Sequence, residues 1–571
     1  MSTRTPNYNS FIPGLQRLRS YPLSWLTGDV LAGVTVAAYL IPQCMAYGEL
    51  AGVQPVAGLW AILPPIVLYA LFGSSPQLSI GPESTTAVMT AAAIAPLVAH
   101  DSSNYANLTA LLACAVGIVC LMGYVARLGF LADLLSKPIL VGYMAGVAII
   151  MITGQLSKIG GLSVHADKAF GQTLEFLGKM HQVHWPTLML ALVVLIFLFV
   201  VQRLFPNAPG PLLAVLLATG LVAGLHLEQH GVAVVGTIPA GFPHLALPDL
   251  SAPHLKTIFA SAIGIAIVGY SDNVLTARSF AVRHQYKIDA NQELLALGLA
   301  NLGNGLMQGF PVSSSGSRTV IGDSLGSKSQ VFSLVALVVV VGVLLFLRPL
   351  LALFPKAALG AIVIFAAIKL IEVAEFHRLY HFRRTEFVLA LTTVVGVLLT
   401  DILAGVGIAV GLSVIDLFAR VARPHDAVLG QVPDLPGLHD IEDWEGATTI
   451  PGLVIYRYDA PLCFANVENF KKRAWDAIKA EKMPVEWFVL NTEAIVEVDL
   501  TAIDALEEFQ AELAANHITF ALARVKQNLY AQLKRSGLLQ KIGPDHIFLT
   551  LHTAIAAFQA YQQNQSRQRM G

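Results

Sequence analysis

The chain has 571 residues, 55% hydrophobic and only 13% charged, with a mean hydropathy of +0.64. A soluble domain carries about 45–50% apolar and about 25% charged residues, so the composition excludes a soluble globular protein and implies a polytopic membrane protein. The formal net charge of -1 gives no bias toward nucleic acid as a partner.

Residues 1–28 are polar and mixed and are expected to form a cytoplasmic N-terminal segment. The first apolar run, Asp29 to Glu49, holds roughly nineteen uncharged residues and is followed at once by further spans, so no cleavable signal peptide is expected. Hydropathy predicts spans near 29–50, 58–73, 84–99, 106–128, 136–156, 187–204, 210–226, 255–280, 292–308, 318–327, 330–348, 357–372, 385–402 and 403–420. With the N-terminus inside, Arg17, Arg19, Arg127, Lys137, Arg203, Arg283, Lys287, Lys328, Arg378, Arg383, Arg384, Arg420 and Arg423 fall on the inner side. Lys158, Lys168, Lys179, Lys256, Arg348 and Lys356 break the rule. The expected location is therefore the plasma (inner) membrane, multi-pass, with both termini cytoplasmic.

The third and tenth spans begin in an unusual way. Gly81-Pro82-Glu83-Ser84-Thr85-Thr86 and Phe310-Pro311-Val312-Ser313-Ser314-Ser315-Gly316-Ser317-Arg318-Thr319 each pass from a proline-broken extended stretch into a hydroxyl-rich first turn. Each is predicted to be a half-helix. Unwound backbone at membrane depth is tolerated only inside protein or beside a cavity, and a helix N-terminus concentrates free N–H groups and positive dipole. Two such ends facing each other make an anion site. Their separation by seven spans is the signature of a seven-plus-seven inverted repeat. The first and eighth spans then correspond, offering Gln43 with Tyr47 and Asp272 with Thr276, each pair one turn apart on one helix face.

Arg318 is the sharpest single signal, because a cation in the first turn of a helix opposes the macrodipole unless an anion sits nearby. The alternatives are an ion pair with Asp272 or Glu83, or capping of carbonyls. Ser84, Thr85, Ser313, Ser314, Ser315 and Ser317 offer hydroxyls to an oxyanion, and Gly316 allows close backbone approach. Asp272 is a carboxylate inside an apolar span and is expected to couple a cation or proton, with Thr276 sharing that site. Glu83 is a second protonatable candidate, although an acid in a first turn complements the dipole without further role. Cys44, Cys114, Cys120 and Cys463 read as buried thiols rather than metal ligands or disulfides. His100, His165, His181, His184, His226, His230, His244 and His254 match no metal motif, and no Walker A lysine, nucleophile elbow or HExxH motif is present. An enzyme is not expected.

After Arg423 a Pro/Gly/Asp-rich stretch, taken as a linker over 424–443, leads into an ordinary soluble pattern over 444–571. Strands are predicted at 453–458, 487–490 and 518–522, and helices at 465–482, 501–515, 527–536 and 551–563, which together imply a small α/β sandwich. Thr501 with Asp504 reads as a capping box, the functional alternative being a phosphorylatable or ligand-sensing loop with Thr501 as its regulatory residue.

Four stretches resemble the sulfate permease family, SulP, equivalent to solute carrier family 26: Ile41 to Tyr47, Gly81-Pro82, Asn291 to Gly298, and Ser317-Arg318-Thr319. The tail resembles a STAS domain, so the likeness covers nearly the whole chain. It implies a homodimeric seven-plus-seven transporter in which a core domain moves against a gate domain by an elevator-like step. Family substrates include sulfate, bicarbonate, chloride, oxalate and dicarboxylates. The positions matching a sodium-binding aspartate and threonine of bicarbonate carriers are Asp272 and Thr276, whereas some proton-coupled members have glutamate where this sequence has Gln43. That departure shifts weight to Asp272 as the coupling group. An inside-negative potential of about 100 mV opposes entry of a dianion by roughly 4.6 kcal/mol. The expectation is therefore a proton-coupled sulfate importer, with sodium–bicarbonate symport, dicarboxylate transport, exchange or channel activity, and an anion sensor as alternatives. A cytoplasmic partner for the STAS-like domain is also expected.

Overall fold

In the computed structural model each of the fourteen expected spans is occupied by a helix. They are α1 (Leu26–Leu50), α2 (Leu63–Phe72, entered through the helical turn Pro55–Trp60), α3 (Ser84–Ile94), α4 (Tyr105–Val125), α5 (Lys137–Gly154), α6 (Trp185–Leu204) and α7 (Gly210–Gly224). Then follow α8 (Leu255–His284), α9 (Ala290–Leu306), α10 (Gly316–Ser324), α11 (Val331–Phe346), α12 (Lys356–Leu370), α13 (Arg384–Leu399) and α14 (Ile402–Ala422). The structure describes residues 12–98, 104–133, 136–164, 166, 168–206, 208–239, 241–243, 245–249, 254–400 and 402–570. His100, His165, His244 and the first eleven residues of the expected N-terminal segment lie outside them.

Prolines set several helix starts: α2, α5, α6 and α7 each carry one in the first turn, where the missing N–H costs nothing. Among the described residues eight helical stretches are long and apolar enough to cross a membrane, and Ser84–Leu97, α7 and α11 are shorter apolar helices. The half-helix α10 has nine residues, too few to span a bilayer.

The chain divides into two compact units, Met1–Ser413 and Val414–Gly571, a division that falls within α14 and ahead of the expected change at 423. Inside the first unit the helices form two sets. α1, α2, α3, α4, α8, α9, α10 and α11 pack on one another, while α5, α6, α7, α12 and α13 form the second set. α1 carries the main contact between them, against α7 and α12.

A fully buried carboxylate fixes part of the first set. Glu293 accepts hydrogen bonds from Tyr69 Oη (2.9 Å), Ser74 N (2.9 Å), Ser74 Oγ (2.7 Å) and Asn273 Nδ2 (2.7 Å). Its neighbours extend the tie: Gln292 donates to Phe72 O at the end of α2, and Asn291 to Tyr124 O at the end of α4.

The second unit is a six-stranded sheet of order β4-β3-β5-β6-β7-β8, built from β3 (Asp426–Val432), β4 (Leu435–Asp440), β5 (Leu453–Tyr458), β6 (Trp487–Asn491), β7 (Thr519–Ala523) and β8 (Ile547–Phe548). β5 to β8 run parallel, and β3 pairs antiparallel with both β4 and β5. Alternation along β5 sends Val454, Tyr456 and Tyr458 under α15 (Val467–Ala480), α16 (Leu500–Ala515) and α17 (Gln527–Ser536). It sends Leu453 and Ile455 under α18 (Leu551–Met570). Two expectations are corrected here. The stretch 424–443 is not a linker but holds the β3–β4 hairpin, since Ala427 and Leu429 are buried beneath α18 and Pro433 and Asp434 make the turn. The cap of α16 is not Thr501 with Asp504: Asp499 accepts from Ala502 N (2.8 Å), and Thr501 is exposed in the first turn. The four cysteines are free thiols, Cys44, Cys114 and Cys120 buried and Cys463 half-buried.

Replacing Glu293 by alanine strands four donor contacts in a dry interior and should cost about 3 kcal/mol or more, whereas glutamine keeps the shape and one acceptor and should cost less. Thermal unfolding of the detergent-purified variants measures the order; an alanine variant as stable as wild type contradicts the tie.

Candidate functional site

The two half-helices meet through their extended approaches. β1 (Ile80–Gly81) pairs antiparallel with β2 (Ser313–Ser314), Ile80 opposite Ser314 and Gly81 opposite Ser313. Backbone left over on either side is satisfied by buried side chains, as membrane depth requires. Asn301 holds Val312 at both its N–H (2.8 Å) and its carbonyl (3.0 Å), and Asn304 donates to Phe310 O (2.6 Å). Gln330 donates to Ser75 O (3.0 Å) and Leu78 O (2.9 Å) on the other approach. Thr319 accepts from Ser79 N (3.0 Å), and Ser315 N donates to Ser79 O (2.9 Å).

A cavity of about 240 Å³ opens where the two helices begin. Its walls are Tyr39, Gln43 and Tyr47 of α1, Glu83, Ser84 and Thr85 at the start of α3, Asp272 of α8, and Ser314, Ser315, Gly316 and Ser317 at the start of α10. The second helix set closes it with Met144, Pro211, Ile362, Phe365, Ala366, Lys369 and Leu370. Pro42 lies inside α1 and removes one rung of its ladder immediately before Gln43. Gln43 Nε2 donates to Tyr47 Oη (2.9 Å), so the expected pair faces the cavity together.

The two helix ends are electrically unequal. Glu83 caps α3, accepting from Thr85 N (2.6 Å) and from the hydroxyl of Ser84. This is the dipole-complementing role, and Glu83 remains half-buried at the cavity wall. The N-cap of α10 is Ser315, with no side-chain cap bond, and Ser315 and Ser317 hydroxyls lie 3.3 Å apart. The uncapped positive end is therefore at α10, beside four hydroxyl or glycine positions.

Arg318 departs from expectation. Its side chain is fully buried and is not among the residues lining the cavity. Nη1 donates to Pro82 O (2.7 Å) and lies 3.5 Å from Gln43 Oε1, and Nε lies 3.4 Å from Ser79 Oγ. The guanidinium thus ties α10 to the approach of α3 by capping a carbonyl, and its charge lies outside the cavity lining rather than in it. Among the described residues it has no ion pair with Asp272 or Glu83, and Nη2 has no hydrogen-bond partner. Gly81, with φ of +155°, leaves room for it: a Cβ there would sit 3.3 Å from Nη2.

Asp272 lines the cavity and lies 3.3 Å from Ser314 Oγ. Thr276, one turn on, does not line it, so the structure does not bring the expected pair to one wall. Ser313, whose backbone pairs with Gly81, does not line the cavity either. Sequence reasoning missed Asn301, Asn304 and Gln330, which were legible only as polar residues in or beside apolar spans. It also missed Lys369, an ionisable residue in a predicted span, which is itself a signal.

A model of the sulfate permease family matches residues 26–393, and a STAS domain model matches residues 446–554. The chain belongs to the sulfate permease family. A probable sulfate transporter of Mycobacterium tuberculosis is 54% identical over 546 residues, covering 96% of this chain and 98% of that protein. Sulfate transporter 4.1 of Arabidopsis thaliana, a chloroplastic protein, is 29% identical and covers 97% of this chain and 84% of its own. The structure of the murine Solute Carrier 26 family member A9 anion transporter in its inward-facing state superposes with a TM-score of 0.88 at 23% identity, over 98% of this chain and 96% of that one. The transmembrane domain of the cyanobacterial bicarbonate transporter BicA gives 0.60 at 24% identity, over 69% and 98%. The last two likenesses establish the fold. The chain is thus a multi-pass membrane transporter of small inorganic anions, not an enzyme, with a C-terminal STAS domain.

Arg318→Ala should abolish or strongly weaken anion transport in folded, inserted protein, through loss of both the field and the tie to Pro82. Lysine should rescue only in part, because it lacks the planar fork that reaches Ser79, Pro82 and Gln43 together. Half-saturation and rate of labelled-anion uptake in proteoliposomes decide this; an alanine variant with both unchanged removes Arg318 from the mechanism.

Proposed function

We propose that the protein is a proton-coupled sulfate importer of the inner membrane, working by elevator-like alternating access as a homodimer with both termini cytoplasmic. The observation that carries the reading is a single cavity walled by the uncapped N-terminus of α10 and, 3.3 Å from Ser314, by the carboxylate of Asp272. The helix end and the buried Arg318 attract an oxyanion. The ionised carboxylate repels it. A dianion is accommodated best when Asp272 carries a proton, so anion and proton occupancy favour each other, and the proton also offsets part of the membrane potential opposing a dianion. Sulfate is the substrate favoured by the 54% identical relative.

Placement of the site on the first helix set, facing α7 and α12 of the second, supports movement of one set against the other. On the side where α5 joins α6, Lys158 and Glu49 form a 3.3 Å ion pair between the sets. That contact is a clasp closing this side, and in the proposed orientation it is the outer one. Thr276's position away from the cavity favours a proton over sodium. Exposed apolar side chains on the spans, such as Ile196, Val338 and Phe346, meet lipid. The STAS domain is proposed to regulate transport and to bind a cytoplasmic partner, with exposed Thr501 as a site of modification.

Reconstituted protein tests the reading through uptake of labelled sulfate, bicarbonate or succinate, each under a proton or a sodium gradient. Proton-driven accumulation of sulfate is expected. Sodium-driven bicarbonate accumulation, simple equilibration or no uptake would favour the symporter, channel or sensor instead.

Asp272→Asn imitates the protonated acid, so it should keep anion binding and exchange but lose proton-driven accumulation. Sulfate concentrated to the wild-type level with unchanged pH dependence would exclude Asp272 and leave Glu83 as the coupling candidate. Glu49→Gln should loosen the clasp between the sets and shift the population toward the outward-open form. Accessibility of a cysteine placed beside Glu49 to an impermeant thiol reagent should rise in that variant.

A further inference from the structure

A second cavity of about 200 Å³ adjoins the first and shares Tyr39, Pro211, Ser317, Phe365 and Lys369 with it. It runs to Gln202, Pro206 and Ala208, at the connection between α6 and α7. An anion passing from the first cavity into the second therefore passes Lys369, in the last turn of α12. The lysine Nζ lies 4.2 Å from the centroid of the Phe365 ring. Among the described residues no carboxylate forms an ion pair with it. An ammonium resting on an aromatic face keeps N–H donors free for an anion.

Lys369 also belongs to a different body from the rest of the site. Gln43, Ser84, Asp272 and Ser317 are on helices of the first set, whereas α12 packs with α5, α6 and α7. If the sets move past one another, the lysine does not travel with the site.

We infer that Lys369 is an anion-binding group supplied by the stationary set, which holds a small oxyanion dianion at the junction of the two cavities only while the site faces the α6–α7 connection. The inference rests on the transport reading above. Its physical consequence is an affinity difference between faces: the cation strengthens binding in the conformation described here and is out of reach in the opposite one. A ligand shifts a conformational equilibrium only by such differential affinity, so the same lysine biases the loaded carrier toward this state.

The test compares half-saturating labelled sulfate, and separately bicarbonate, at each face at zero membrane potential and fixed pH. Intact cells present the outer face and inside-out vesicles the inner one. Lys369→Gln is expected to raise the half-saturating concentration about tenfold at the α6–α7 face, with less than about twofold change at the other, as for the loss of one charge-assisted contact. Lys369→Arg should keep most of the wild-type value. Equal weakening at both faces, or no change at either in a wild-type background that saturates, overturns the inference. A wild-type protein that saturates with neither anion overturns the transport reading itself, and this inference falls with it.

Discussion

The membrane domain depends on how two unwound segments are kept satisfied at a depth where water is scarce. Each orphan backbone group there costs several kcal/mol. The two approaches solve this largely by pairing with each other, Ile80 and Gly81 against Ser314 and Ser313. The remainder is met by Asn301, Asn304, Thr319 and Gln330, all buried. Because these bonds are mutual, the starts of α3 and α10 are placed relative to each other rather than relative to the membrane. An anion between them meets a preformed arrangement.

Arg318 follows from the same constraint. A buried cation is expensive unless its donors are used, and Pro82 O takes the strongest of its contacts. The guanidinium therefore does two jobs with one geometry: it closes the crossover and raises the potential in front of α10. Glu83 does the reverse at α3, where its carboxylate takes up the helix N-terminus. The cavity is left with one attractive end and a carboxylate, Asp272, whose charge opposes the ligand. In the proposed proton coupling, this antagonism within one small volume is what links proton and anion occupancy.

The helices holding these groups are stiffened away from the cavity. Glu293 gathers Tyr69, Ser74 and Asn273, the last adjacent to Asp272, and Asp29 binds Lys328 N and Ser329 between α10 and α11. Both acids are held by neutral donors rather than by cations in these contacts. These ties join helices of the first set to one another, as the proposed displacement of the site as a unit requires. Its contact with the second set is made chiefly by α1, the helix that also supplies Tyr39, Gln43 and Tyr47.

The sequence by itself determined the spans, the two half-helices and the α/β character of the tail, because each is written in local pattern: apolar length, proline followed by hydroxyls, alternation. It also singled out Gln43, Tyr47, Ser84, Thr85, Asp272 and Ser314 to Ser317, which the structure gathers on one cavity. Only the tertiary structure decided that Arg318 stands outside that cavity with its fork on Pro82, that Thr276 does not line it, and that Lys369 enters its far wall. The hairpin at 426–440 was hidden for a related reason: its turn residues look like a linker until β5 supplies the pairing edge. A side chain's type and spacing reveal what it can bind and which helix face it shares. Whether it spends its donors on a ligand or on a neighbouring carbonyl depends on which distant segment packs against it, and that is a property of the assembled fold.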